Sequence, residues 1–271
     1  MLTIEILEAI EKFAGCPLCY LWMEYEERNM EYLLTNEVVM DPGFREKVVL
    51  AKGFCNYHMH LLYKTANKPG VLDGLGYALY MRDVVESILE ALRSVPLEIL
   101  SKLENKANIN ILSRREKRRH IFSWLCKAVR RAVQGERPCP ACESLRSFDE
   151  MHLDTLLQML DDEDFRKDFQ SSKALCLPHF FSAVGMVRSS KLRNSVDVTR
   201  TLIEVEKKGL ETVASYLSEF IRKHDWNTRN EPRGPEVNAN NMSLNILAGA
   251  QGLYMERSYS EDQMKQLVRS T

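Results

Sequence analysis

Cys139-Pro140-Ala141-Cys142 repeats, with one residue changed, the earlier Cys16-Pro17-Leu18-Cys19. Each is followed at a distance by a cysteine and a histidine one helical turn apart, Cys55-Asn56-Tyr57-His58 and Cys176-Leu177-Pro178-His179. The second and third cysteines are separated by 36 residues in the first copy and 34 in the second. Counted back from the third cysteine, Lys52 and Lys173, Phe44-Arg45 and Phe165-Arg166, and Asp41 and Asp162 fall at equal offsets. Upstream, the stretch from Ala9 to Gly15 resembles that from Ala128 to Gly135. Such register reads as an internal duplication, giving two related units.

Three thiols and one imidazole are the ligand set of a closed tetrahedral Cys₃His zinc site. Proximity along the chain assigns Cys16, Cys19, Cys55 and His58 to one ion. It assigns Cys139, Cys142, Cys176 and His179 to a second, so two Zn²⁺ per chain are expected. An iron–sulfur cluster is the second candidate for the same donors, behind zinc on softness and geometry.

The ligand positions suit helix starts. Pro17 and Pro140 follow the first cysteine of each pair, and proline is favoured at the first helical position, where its missing N–H would be unbonded anyway. Cys55 and His58, like Cys176 and His179, keep the same one-turn spacing. Two helix N-termini are therefore expected at each metal, where the dipole and free amides favour thiolates. Lys52 and Lys173 are candidates to offset the net negative charge of three thiolates around a dication, with plain solvent exposure as the alternative.

Periodicity is helical nearly throughout: Ile6, Ile10 and Phe13 mark one face, Leu18, Leu21, Trp22 and Tyr25 another, and Val198, Leu202, Val205 and Val213 a third. No sustained alternation marks a strand. The expected fold is all-α: two duplicated helical units, each stapled by a Cys₃His zinc site. The expected division is 1–93 for the first unit, 94–118 for a linker or connecting helix, 119–226 for the second unit, and 227–271 for a loop, a short helix near 243–254 and a polar tail. Asp41-Pro42-Gly43 is expected to break the helix that follows the first CPxC.

Composition narrows the function classes. With 45% hydrophobic and 28% charged residues in 271, the chain reads as globular. A net charge of −1 argues against a protein built around polyanion or membrane-surface binding. No apolar run approaches the ~20 residues of a membrane span. The N-terminus lacks the basic and apolar regions of a secretory signal, so a reducing, cytoplasmic setting is expected, where metal binding is a commoner use of cysteine than disulfides.

Four protein ligands leave a metal no open position, which argues against hydrolysis and leaves the enzyme question undecided, leaning no. The leading expectation is a non-enzymatic binding or scaffold protein with an unknown protein or small-molecule partner. Its rival is a redox-responsive thiol/zinc switch or thiol–disulfide oxidoreductase. However, CPxC dithiol enzymes place the motif after a β-strand, and none precedes Cys16 or Cys139. A third reading is nucleic-acid binding through the basic stretch 114–131, against the plainer reading of a solvated helix face. Cys126 reads as a buried apolar cysteine, Trp22, Trp124 and Trp226 as core, and His60, His120, His152 and His224 as residues without a ligand role.

The CPLC and GFCNYH segments, the CPAC and LCLPH segments, and the run from His224-Asp225-Trp226-Asn227 through Glu231-Pro232 to Gly234-Pro235-Glu236 resemble an uncharacterised prokaryotic family of unknown function with paired CPxC…CxxH motifs. The resemblance covers most of the chain. It implies a helical, metal-binding protein and brings no activity or catalytic residue with it.

Overall fold

The computed structural model describes residues 2–13, 15–68, 74–95, 97, 111–172, 174–228 and 230–249. Pro96, most of the expected linker, Lys173 and the tail from residue 250 lie outside them. Among the described residues there is no strand. The helices are α1 (Leu2–Lys12), α2 (Pro17–Tyr32), α3 (Asn36–Val39), α4 (Pro42–Leu50), α5 (Asn56–Ala66), α6 (Leu75–Arg93), α7 (Ile111–Val133), α8 (Pro140–Leu160), α9 (Glu163–Gln170), α10 (Leu177–Val187), α11 (Ser195–Arg222) and α12 (Ala239–Leu247), with a 3₁₀ turn at Pro235–Asn238.

Several helices begin where short polar side chains cap them. Asp41 accepts hydrogen bonds from the amides of Gly43 and Phe44 at 3.0 and 3.2 Å, with Pro42 opening α4. Asp162, its counterpart by register, accepts from Asp164 and Phe165 at 3.0 Å each and opens α9. Each cap satisfies amides that a helix start otherwise leaves bare and contributes about 1 kcal/mol. The helix after the first CPxC ends at Tyr32, ahead of the Asp41-Pro42-Gly43 turn, and the short α3 fills the interval. The last described helix runs Ala239–Leu247, and the expected helix near 243–254 lies partly outside the described residues.

The chain divides into two compact units, one of residues 27–144 and one of residues 1–26 with 145–271. In the middle unit, Met30, Leu33, Val39, Val48, Phe54, Leu62, Tyr80 and Ala141 share a core. The Tyr80 hydroxyl donates to the Leu33 carbonyl at 2.7 Å, which satisfies the one polar atom that ring brings inside. In the terminal unit, Ile6, Leu18, Leu21, Leu153, Leu156, Leu157, Leu160, Phe169, Val198 and Leu202 form the other core.

This division differs from the expected boundary at 94–118. The break falls inside α2 and α8, because each long helix contributes apolar residues to both cores. Leu18 and Leu21 of α2 belong to the terminal core and Met30 to the middle one. Ala141 of α8 belongs to the middle core and its four leucines from 153 to 160 to the terminal one.

Candidate metal centres

Each first cysteine stands at a helix start. The carbonyls of Cys16, Cys55, Cys139 and Cys176 accept the amides of Tyr20, Met59, Glu143 and Phe180 at 3.2, 2.8, 3.0 and 2.8 Å, the first turn of α2, α5, α8 and α10 respectively. The second ligand of each pair then lies one turn along and faces the same way. Cys55 Sγ also caps α5 by accepting the His58 amide at 3.5 Å.

The eight residues form two quartets, with the halves exchanged relative to the expectation. Cys16 and Cys19 meet Cys176 and His179, and Cys55 and His58 meet Cys139 and Cys142; in each quartet the ligand atoms lie within 4.8 Å of one another. The pairing by proximity, Cys16/Cys19 with Cys55/His58 and Cys139/Cys142 with Cys176/His179, is therefore overturned. The cause is the continuity of α2. Its 16 residues, about 24 Å of helix, carry the chain away from Cys19 and into the middle core before Cys55 is reached.

In the terminal quartet His179 Nδ1 lies 3.4 Å from Cys16 Sγ, 3.4 Å from Cys19 Sγ and 3.1 Å from Cys176 Sγ, and Cys19 and Cys176 Sγ are 3.5 Å apart. In the middle quartet His58 Nδ1 lies 3.2 Å from Cys55 Sγ, 3.2 Å from Cys142 Sγ and 3.6 Å from Cys139 Sγ, and Cys55 and Cys142 Sγ are 3.7 Å apart. Bonds of about 2.3 Å to sulfur and about 2.05 Å to nitrogen at tetrahedral angles give edges of about 3.8 Å between sulfurs and about 3.6 Å from sulfur to nitrogen. Both cages sit close to those edges, so the donors present fit one tetrahedral ion each.

Residues that the ligand pattern does not reveal complete the terminal site. His179 Nε2 lies 2.8 Å from Asp149 Oδ1, so the ring donates there and turns Nδ1 toward the sulfurs. Gly249, just past the end of α12, has a φ of 73°, and a Cβ built on it would stand 2.9 Å from Cys176 Sγ and 3.1 Å from Cys19 Sγ. A glycine after a periodic apolar stretch signals a helix end; its approach to two sulfurs has no sequence signature. Glu206 on α11 is buried, and its Oε1 has no hydrogen-bond partner.

The electrostatics are those of donors sharing too few protons. Burial pushes the Cys16 thiol well up. Contacts from Cys16 and Cys19 hold Cys176 far below the thiol range, against burial. Burial opposes charge on His179, but Asp149 and the Cys16 and Cys176 sulfurs outweigh it and raise the imidazole to about 12. In the middle quartet burial works to raise Cys139, yet His58 and backbone amides bring it down to about 7. Cys142 rises on burial and on the charges of Cys139 and Cys55. A dication entering either quartet would displace the protons that its donors hold.

Lys52, a candidate for either counter-charge or plain solvation, has a hydroxyl as its hydrogen-bond partner. It occupies the left-handed position of the turn after α4, with φ 55°, and its ammonium donates to Ser87 Oγ at 2.8 Å. Gly53, next in the turn, returns its amide to the Val48 carbonyl at 2.8 Å, so the lysine's place reflects helix termination. Cys126 is exposed, as are Trp124 and Trp226, contrary to the core positions expected for them, while Trp22 is half-buried. His152 is buried and contacts Glu5 Oε2 at 3.1 Å and the Phe148 carbonyl at 2.9 Å. The acidic residues of the C-terminal motif secure the end of α11: Glu231 pairs with Arg222, and Glu236 accepts from Lys223 at 2.9 Å and from the Gly234 amide at 2.7 Å.

Residues 1–252 match the model of a family of unknown function, DUF6062. The chain belongs to this family. No curated protein and no solved structure matches it. The helical fold and the two Cys/His clusters are therefore features of a DUF6062 protein, and this membership brings no named activity with it.

Proposed function

We propose that this is a non-enzymatic binding or scaffold protein whose two quartets are structural zinc centres, one ion in each, in two units that arose by duplication. The observation that carries the reading is the pair of Cys₃His cages with the edge lengths of a tetrahedral ion. Ligand atoms this close leave room for one ion rather than for an iron–sulfur cluster, whose own irons spread the cysteine sulfurs apart. Four protein donors complete the tetrahedron, which favours a structural over a catalytic ion. The repeated order of helices, with Asp41 and Asp162 capping equivalent elements, supports the duplication.

None of the seven cysteines is in a disulfide, in keeping with the proposed cytoplasmic setting. No described helix is long and apolar enough to cross a membrane. Metal analysis of protein purified without added metal tests the reading: two zinc ions per chain are expected, and their removal by a strong chelator should abolish most helical circular dichroism, since a structural site supplies roughly 10 kcal/mol or more. A chain that holds no zinc and keeps its helices when stripped would refute it.

A second reading has one observation in its favour. Arg119, Lys127, Arg130 and Arg131 are exposed on α7, and no acidic residue lies between 117 and 135. An anionic partner such as nucleic acid would bind there with a steep salt dependence.

A further inference from the structure

The two quartets have the same donors but different shelter. In the terminal quartet no ligand is more than 3% exposed. Gly249 has no room for a Cβ beside two of the sulfurs, and Asp149 contacts the histidine. In the middle quartet only His58 is buried, at 3%; Cys55, Cys139 and Cys142 all reach solvent in part. The segment that delivers Cys139 is itself exposed at Glu136, Arg137 and Pro138. That segment is nevertheless pinned. The Glu136 amide donates to the Leu50 carbonyl at 2.9 Å, and Gly135 packs so closely on Ala51 that a Cβ there would meet its carbonyl oxygen at 2.3 Å. The opening is thus part of the fold rather than a frayed end.

Exchange of a four-coordinate zinc ion starts when an incoming ligand reaches the ion or one of its sulfurs. Burial blocks that approach, and partial exposure permits it. We propose that the quartet of Cys55, His58, Cys139 and Cys142 is an exchange site that releases its divalent ion to an incoming thiol or chelating ligand, while the quartet of Cys16, Cys19, Cys176 and His179 keeps its ion as long as the unit is folded. The step is ligand substitution. An incoming thiol would give up its proton and bond the metal through its sulfur as a cysteine–metal bond breaks, the displaced cysteine sulfur would take up that proton, and no electron changes hands. The acceptor is a soft, sulfur-bearing molecule or protein. This inference rests on the metal-centre reading above and deepens it.

The test uses the full chain loaded with two equivalents of zinc and mixed with excess 4-(2-pyridylazo)resorcinol, whose colour reports released metal. One equivalent should leave at least tenfold faster than the other. Cys142→Ser should lose the fast equivalent and keep the slow one. Because that variant could fold poorly, the unmutated zinc-loaded protein is also treated with iodoacetamide and its peptides are followed in time. Cys126 should be alkylated first as the exposed control, then Cys55, Cys139 and Cys142, with Cys16, Cys19 and Cys176 last. Two ions leaving at one rate, a fast phase that survives Cys142→Ser, or alkylation of the terminal quartet together with the middle one would overturn the exchange site alone. A chain that takes up fewer than two ions would overturn the metal-centre reading and this inference with it.

Discussion

Asp149 Oδ1 stands 2.8 Å from His179 Nε2, which makes the carboxylate the element that orients the one imidazole of the terminal quartet. Such outer partners fix the tautomer and raise the basicity of a ligating ring, and losing one costs about 10–100-fold in metal affinity. Asp149→Asn should therefore weaken one of the two zinc equivalents by that factor and leave the other alone, as read by titration against a competing chelator. Equal weakening of both would contradict the arrangement.

The exchanged pairing makes a prediction about double variants. Cys19→Ser combined with Cys176→Ser removes two ligands of one quartet and should lower zinc content from two to one. Cys19→Ser combined with Cys55→Ser strikes both quartets and should leave none firmly held. Metal stoichiometry after gel filtration decides it, because the pairing by proximity demands the opposite pattern.

Gly249 tolerates little. Its φ of 73° is strained for any side chain, and the Cβ of an alanine would crowd the Cys176 and Cys19 sulfurs. Gly249→Ala should cost about 1 kcal/mol from the backbone alone, with a further loss from displaced sulfurs. Thermal melting should fall by several degrees and the slowly released zinc equivalent should leave faster.

Glu206 gives a pH signature. Burial, helped by the nearby Cys176 charge, raises its carboxyl from 4.5 to about 7. A folded-state value above the unfolded one means that the native protein holds the extra proton between those limits, so this group's contribution to stability falls as pH rises from about 4.5 to about 7. Glu206→Gln mimics the protonated form. It should be more stable than the parent at pH 8 by ~1–3 kcal/mol, and the difference should vanish below pH 4.5. Urea titrations of zinc-loaded parent and variant at both pH values measure it; a constant difference would refute the assignment.

Much of the architecture was readable from local chemistry. Proline after Cys16 and Cys139 marked helix starts, Asp41 and Asp162 stood at equal offsets although their capping role was not foreseen, and the periodicity of Val198, Leu202 and Val205 marked the buried face of α11. The identity of the eight clustered residues followed from their spacing. Their partnership did not, because spacing along the chain cannot reveal that α2 and α8 continue from one core into the other. Asp149 was also hidden. The helix that lends Cys142 to one quartet lends Asp149 to the other, and a lone acid on an amphipathic helix has no pattern of its own. Cys126 was misjudged since its apolar neighbours Phe122 and Val129 are themselves exposed.

The span of 163 residues between Cys16 and His179 bears on how the polypeptide matures. As the chain emerges from the ribosome, the donors Cys55, His58, Cys139 and Cys142 are all available while residues beyond 142 are still being made, and the first two cysteines must wait, reduced and unligated, until Cys176, His179 and finally Gly249 arrive. Birth order alone would thus have the ion of Cys55, His58, Cys139 and Cys142 acquired before the ion of Cys16, Cys19, Cys176 and His179.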